Sequence, residues 1–112
     1  LELKFIAYWK EVDGQPLQEE HKFHKTRKWR FDFAHLQSKV AIEIEGGIWN
    51  QSRHTKAVGY IKDCEKYNTA TFDDWAVIRL PNYWITQETL LEIKQLIDKR
   101  CQKTMQNTAQ AD

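Results

Sequence analysis

The chain has 112 residues, which is enough for one domain and too few for two of ordinary size. Its 17 basic and 16 acidic residues give a net charge of +1, which excludes a protein that binds nucleic acid through bulk positive charge. No apolar segment approaches the roughly 20 residues that span a membrane, and no signal peptide is visible, so we expect a cytoplasmic protein without a membrane partner. Cys64 and Cys101 lack metal-ligand spacing and are expected to be free thiols.

The first half of the chain is expected to form a helix followed by strands. Apolar residues recur at helical spacing over residues 1–12, and the segment DGQP at 13–16 ends this helix. The period then changes to two, and residues 29–33 and 40–45 both alternate between apolar and polar side chains. A turn near residues 37–38 joins these two runs, so the sequence predicts an antiparallel hairpin.

The second half is expected to form helix, strand and helix. Residues 48–55 are typical of a loop, residues 56–72 have a helical pattern, and residues 75–80 (WAVIRL) indicate a buried strand parallel to the strand before the helix. Thr86 is expected to cap a last helix, and the polar segment 102–112 is expected to be a flexible tail after a single domain at 1–101. The predicted fold is α/β, with a central mixed sheet flanked by helices in the order α-β-β-β-α-β-α.

Three carboxylates are expected to converge on two neighbouring strands. Because side chains alternate along a strand, Glu43 and Glu45 share one face of theirs. Phe31 and Phe33 are expected to share the core face of the other strand, which turns Asp32 toward the two glutamates. Three like charges held close together call for a cation, and oxygen ligands suit Mg²⁺. The alternative is that the acids only solvate an exposed strand face, which the same pattern also produces.

Five segments in a fixed order carry a resemblance to a known family. They are RKWRFDFA (27–34), VAIEIEGG (40–47), SRHT (52–55), DCEKYN (63–68) and WAVIRL (75–80). This series resembles the PD-(D/E)XK nuclease superfamily, and within it the small phage-type and very-short-patch-repair-like endonucleases of bacterial or phage-infected cells. The resemblance covers about residues 1–80. It implies a restriction-endonuclease-like fold and Mg²⁺-dependent hydrolysis of DNA phosphodiester bonds, with Mn²⁺ able to substitute.

The resemblance also implies roles for individual residues. Asp32 matches the aspartate of the motif and Glu43 its acid, so both are expected to bind the metal. Glu45 stands where the motif usually has lysine, which leaves open whether Glu45 is a further metal ligand or a general base. A lysine from the following helix is the other solution, and Lys66 and Lys62 are the candidates.

Related nucleases often place a glutamate of the first helix near the metal, and Glu2 matches that pattern, with Glu19 and Glu20 as weaker alternatives. An acid is also favoured at a helix N-terminus without any metal, so both interpretations of Glu2 stay open. His54 lies where repair-like nucleases carry a catalytic histidine, and its alternative is a loop residue that only orders the site.

Residues that would hold DNA surround these acids. A basic segment, residues 21–30 (HKFHKTRKWR), has five Lys or Arg and no acid. If it is one strand, Lys28 and Arg30 lie on the face of Asp32 and guide a phosphate backbone, although lysines also protect edge strands from aggregation. Further contacts are predicted at the loop before the middle helix and on that helix: Trp49, Arg53, Thr55, Lys62 and Tyr67.

Three functions follow as hypotheses. The first is an endonuclease that hydrolyses DNA with Mg²⁺, as a homodimer if both strands are cut. The second is a non-catalytic nucleic-acid-binding module on the same fold, suggested by the missing motif lysine. The third is a nuclease subunit whose partner supplies targeting, suggested by the small size of the chain.

Overall fold

The computed structural model describes the backbone of residues 1–46 and 53–111 and the side chains of residues 1–46 and 56–105. The elements follow the order that the sequence predicted. They are α1 (Glu2–Glu11), β1 (Gln18–Lys22), β2 (Arg30–His35), β3 (Val40–Glu45), α2 (Arg53–Phe72), β4 (Ala76–Pro81), a short 3₁₀ turn (Asn82–Trp84) and α3 (Gln87–Ala111).

The four strands form one mixed sheet in the order β1-β2-β3-β4. β1 and β2 are antiparallel, β2 and β3 form the predicted antiparallel hairpin, and β3 and β4 are parallel from Val40 beside Ala76 to Glu45 beside Pro81. α2 connects these two strands along the chain, and their predicted parallel pairing is confirmed.

Helices cover both faces of the sheet, so the predicted α/β fold with a mixed sheet flanked by helices is confirmed. On one face, α1 and α3 pack against β2, β3 and β4 around a large core that includes Phe5, Phe33, Ile42, Leu80, Leu90 and Ile97. On the other face, α2 packs against a smaller core of Phe31, Ala34, Ala41, Ala70 and Trp75. In this core, Ala34 and Ala41 of the sheet pack with Ala70 of α2.

The expectation that Phe31 and Phe33 share a face is wrong. Phe33 enters the core beneath α1 and α3, whereas Phe31 enters the core beneath α2. The reason lies at Asp32 between them. Backbone pairing of β2 with β3 runs from His35 to Phe33 and does not continue to Asp32, and the pairing of β2 with β1 skips the same residue. Side-chain alternation requires a continuous ladder, and this ladder is interrupted at Asp32.

The basic segment is not one strand, which corrects the expected placement of Lys28. β1 ends at Lys22 and β2 begins at Arg30, so residues 23–29 connect two antiparallel strands and Lys28 lies in that connection. The ring nitrogen Nδ1 of His24 accepts the backbone N–H of Arg27 at 3.0 Å, which closes a turn in the segment. Of the two DNA contacts predicted in this segment, Lys28 and Arg30, only Arg30 lies on a strand. It is the exposed first residue of β2.

Helix ends follow local chemistry that the sequence contains. Thr86 caps α3 as predicted, because its Oγ1 accepts the backbone N–H of Thr89 at 3.2 Å. α1 ends where Asp13 adopts a left-handed φ of 54°, and the N–H of Gly14 then donates to the carbonyl of Trp9 at 2.9 Å.

Two helices are longer than the sequence predicted. α2 begins at Arg53 rather than at residue 56, and α3 continues through the polar segment to Ala111. Segment 102–111 contains neither Gly nor Pro, and half of its residues are Gln or Ala, so nothing in its composition stops the helix. Within the residues that the structure describes, no helix is both long and apolar enough to cross a membrane.

Candidate functional site

Asp32 and Glu43 meet where the ladder between β2 and β3 ends. The N–H of Ile44 donates to Oδ2 of Asp32 at 2.7 Å, and the N–H of Asp32 donates to Oε2 of Glu43 at 3.2 Å. Each carboxylate thus accepts a hydrogen bond from a backbone N–H that strand pairing leaves without a partner. These reciprocal bonds fix both side chains, so the strand break supplies two positioned acids on neighbouring strands.

Glu43 is the most buried acid of this region and it has a lysine partner. Its side chain is 8 % exposed, and Lys66 from α2, 16 % exposed, donates through Nζ to Oε1. The Lys66 ammonium also donates to the carbonyl of Arg30 at 2.7 Å, and the Tyr67 hydroxyl donates to Oε1 of Glu43 at 3.2 Å. Of the two lysines that the sequence offered, Lys66 therefore lies at the acid and Lys62 does not contact it.

Burial controls the ionisation of this group. It raises the pKa of Glu43, and the hydrogen bond and charge of Lys66 offset only part of that rise. Burial also raises the pKa of Tyr67, and the negative charge of Glu43 raises it further, so Tyr67 acts as a proton donor in the hydrogen bond. The arrangement holds one carboxylate in a partly dry setting with three donors around it.

A second group of acids surrounds Asp32. Glu2 at the start of α1 and Glu20 of β1 each bring a carboxylate oxygen to it, and these oxygens and that of Asp32 all lie within 4.8 Å of one another. Glu20 has a left-handed φ of 51° at the position where β1 skips its pairing with Asp32. Partial burial and then the charge of Asp32 raise the pKa of Glu2, as expected for carboxylates that repel one another.

This three-acid group could hold a metal ion. Among the side chains that the structure describes, no other group of three or more potential metal ligands has its donor atoms within 4.8 Å of one another. Its donors are carboxylate oxygens without a sulfur or imidazole ligand, which suits a hard cation such as Mg²⁺, Mn²⁺ or Ca²⁺. The partly exposed position leaves room for water on such an ion, which Mg²⁺ retains in most protein sites.

Glu45 shares the α2 face of β3 with Glu43, as predicted, but it has a cation partner of its own. Arg79 of β4 donates through Nε to Oε1 of Glu45, and this bond raises the pKa of Arg79 further. The guanidinium also lies 4.4 Å above the ring of Tyr67 and 3.5 Å from the carboxylate of Asp63. The structure thus groups Glu45 with Arg79, and Asp32 with Glu2 and Glu20.

Some of the predicted DNA contacts have side chains that the structure describes, and others do not. Lys28 and Lys62 line one cleft between α2 and the connection from β1 to β2. Arg30 is the first residue of β2, and Tyr67 contacts Glu43. Trp49 lies outside the described residues. The backbone of residues 53–55 forms the first turn of α2, and the side chains of Arg53, His54 and Thr55 lie outside the described part.

Sequence reasoning missed Arg79 and undervalued Glu20. Arg79 had a readable signal, since it is the one charged residue in WAVIRL and the parallel register puts it beside Glu43. No local sequence pattern places Glu20 beside Asp32, because only the pairing of β1 with β2 brings the two residues together.

Comparisons of the chain with protein-family models, with curated proteins and with solved structures find no match.

Proposed function

We propose that this protein is a metal-dependent DNA endonuclease of the PD-(D/E)XK type. The observation that carries the proposal is the junction of β2 and β3, where Asp32 and Glu43 are fixed by reciprocal amide bonds and Lys66 reaches Glu43 from α2. An aspartate, an acid and a lysine around one point are the groups that this chemistry uses. In this chain the lysine would come from helix α2, because Glu45 stands at the strand position where the motif usually has its lysine.

The acids would hold the cation. Asp32 and Glu43 present carboxylates from adjacent strands, and Glu2 and Glu20 add oxygens on the side of α1. A bound Mg²⁺, or Mn²⁺ in its place, supplies Lewis-acid polarisation of the phosphate and a lowered pKa of the attacking water. The mutual repulsion around Asp32 would be relieved by such a cation, which is the physical reason to expect one here.

The chain itself would position the substrate and stabilise charge. Lys66 lies at the junction with a fixed ammonium, and we assign it to the negative charge that develops on the scissile phosphate. Tyr67 and the carbonyl of Arg30 hold Glu43 and Lys66 in place. Lys28 and Lys62 would neutralise neighbouring phosphates, so binding should weaken with salt.

A cleavage assay tests the proposal. The protein is incubated with Mg²⁺, Mn²⁺ or EDTA and a panel of duplex, nicked, mismatched, branched and single-stranded DNA. Cleavage should require the metal and fall by at least about 100-fold in Asp32→Asn and Glu43→Gln, because metal-site residues have effects of this order or larger. Glu92→Gln, an exposed acid of α3, serves as the control and should cleave like the parent chain.

A folded protein that cuts none of these substrates with either metal would rule out the proposed function. A specific observation then favours the second candidate, a nucleic-acid-binding module without catalysis. Glu43 and Glu45 already have internal cation partners, Lys66 and Arg79, so neither needs a metal for charge balance. In that case DNA binding should survive Asp32→Asn and remain salt-dependent, with no turnover.

A further inference from the structure

The connection between β1 and β2 carries a continuous stack of planar groups. The ring of Phe23 lies parallel to buried Phe31, at 4.1 Å between centroids, and Trp29 stacks on Phe23 at 6.0 Å with an interplanar angle of 17°. The guanidinium of Arg27 lies 4.0 Å from the centre of the Trp29 ring. The stack therefore begins in the core and ends at the surface with a flat cation.

The outer end of this stack is held in position. Arg27 forms an ion pair with Glu65 of α2, and its backbone N–H donates to the ring of His24. The side chain of Arg27 is nevertheless 47 % exposed. A planar group that is both oriented and accessible can receive another planar group without a large loss of conformational entropy.

A cleft opens beside the stack between the connection and α2. It has a volume of about 580 Å³, within the roughly 300–1,000 Å³ of ordinary ligand pockets. Its lining combines a hydroxyl, an aromatic edge, three cations and one acid: Thr26, Trp29, Arg27, Lys28, Lys62 and Glu65. Since Glu65 neutralises Arg27, Lys28 and Lys62 remain as positive charge for phosphate groups.

The cleft adjoins the proposed catalytic residues. Lys62 precedes Lys66 by one turn of α2, and Trp29 is bonded to Arg30, whose carbonyl accepts a hydrogen bond from Lys66. A strand whose phosphate lies at Lys66 would therefore have a neighbouring nucleotide at the cleft.

We propose that the cleft receives an unpaired nucleotide of the DNA strand, whose base stacks on the Arg27–Trp29 pair while Lys28 and Lys62 contact its phosphates. This inference rests on the proposed nuclease function and names its substrate class: DNA with an unstacked base, as in single strands, bulges or branch points. A continuous duplex keeps the faces of its bases covered, so it cannot use a stacking platform. Every base has a flat face, so the cleft confers a preference for unpaired structure and not for sequence.

Binding without cleavage tests the proposal. Fluorescence anisotropy in EDTA compares a labelled single strand with the matching duplex. The parent chain should bind the single strand more tightly, and Arg27→Lys should weaken that binding roughly 5- to 150-fold, the range for loss of one stacked base. Duplex binding should stay unchanged, because lysine keeps the charge and loses only the plane. Trp29→Ala should weaken single-strand binding as well.

Matched variants control for unfolding and for charge. Trp84→Ala removes an exposed tryptophan near α3, on the other side of the sheet, and Lys99→Ala removes an exposed lysine there; both should bind single strands like the parent chain. Circular dichroism of Trp29→Ala checks that its fold is kept, and Arg27→Lys carries the test if it is not.

Two outcomes would overturn the cleft proposal: equal affinity of the parent chain for both DNAs, or an equal loss for both in Arg27→Lys. Cleavage in Mg²⁺ on the same oligonucleotides reports on the nuclease function separately. A protein that cuts DNA through Asp32 without preferring unpaired DNA contradicts the cleft alone. A protein that prefers single strands through Arg27 and cuts nothing contradicts the nuclease function alone.

Discussion

Replacing Lys66 by methionine should expose the cost of holding Glu43 in the fold. Methionine keeps the length and apolar stem of lysine and removes its charge, so the Glu43 carboxylate loses its cation while the Tyr67 and Asp32 donors remain. Both side chains of the pair are largely buried, so solvent screens their interaction weakly. Breaking a buried pair from one side typically costs roughly 3–5 kcal/mol. We expect about 3 kcal/mol at pH 8, because two donors to Glu43 survive.

The loss should depend on pH in a definite direction. Burial already raises the pKa of Glu43 in the folded chain above its ordinary value of 4.5, and removing Lys66 raises it further. A raised pKa means that the folded state binds the proton more tightly, so the contribution of Glu43 to stability is greatest below pH 4.5 and is lost as pH rises through the folded pKa. Each unit by which the substitution raises this pKa adds about 1.4 kcal/mol to the loss on the alkaline side.

Urea unfolding at pH 5 and pH 8, in EDTA, measures both quantities. Lys66→Met should lose more free energy of unfolding at pH 8 than at pH 5, relative to the parent chain at each pH. The double variant Lys66→Met/Glu43→Gln has no ionisable group left in the pair, so its free energy of unfolding should change less between pH 5 and pH 8 than that of the single variant. A single-variant loss that is equal at pH 5 and pH 8 would refute the reasoning, as would a double variant with the same pH dependence as the single.

Three further predictions concern the scaffold. Gly14→Ala should destabilise the chain by roughly 1–3 kcal/mol, because the added Cβ would lie 2.0 Å from the Trp9 ring. Gly59→Ala, whose added Cβ meets no atom of the described residues within 4 Å, should stabilise α2 by about 0.5–1 kcal/mol, and urea unfolding compares the two variants. His35 should titrate below 6.5 by NMR, since burial lowers its pKa, and stability should fall as pH drops through that window. Arg100→Met should cost about 1–3 kcal/mol in the same unfolding assay, because the guanidinium donates to three backbone carbonyls within 3.3 Å.

Hydrophobic periodicity was sufficient to predict most of the architecture. α1, the β2–β3 hairpin, β4 and α3 all have apolar faces that match one core, so their spacing follows directly from burial. The parallel pairing of β3 with β4 followed from the helix between them. β1 was the weakest element to locate, because its sequence QEEHK has no apolar residue and its position depends on backbone pairing with β2.

The candidate site was predictable only in part. Glu43 and Glu45 lie on one face because β3 is a continuous strand, which is the condition that period-two reasoning assumes. Asp32 does not meet that condition, since the ladder stops there on both sides. The partners of these acids come from α1, α2, β1 and β4, and no local pattern specifies how such distant segments pack.

The break at Asp32 also determines which substitution can test its chemistry. Its carboxylate accepts the N–H of Ile44, so Asp32→Ala would leave that amide without its acceptor as well as removing a ligand. A loss of activity in the alanine variant would then follow from a structural defect or from a missing metal ligand. Asp32→Asn keeps an acceptor oxygen and removes the charge, so cleavage lost by a variant that is at least as stable as the parent chain would be attributable to the charge of Asp32. Conversely, Asp32→Asn should raise stability in EDTA, because it relieves the repulsion with Glu2 and Glu20. A metal ligand of this kind should lower the stability of the metal-free chain through charge repulsion and should be required for cleavage when the metal is bound. An ordinary acid on a strand would show neither effect.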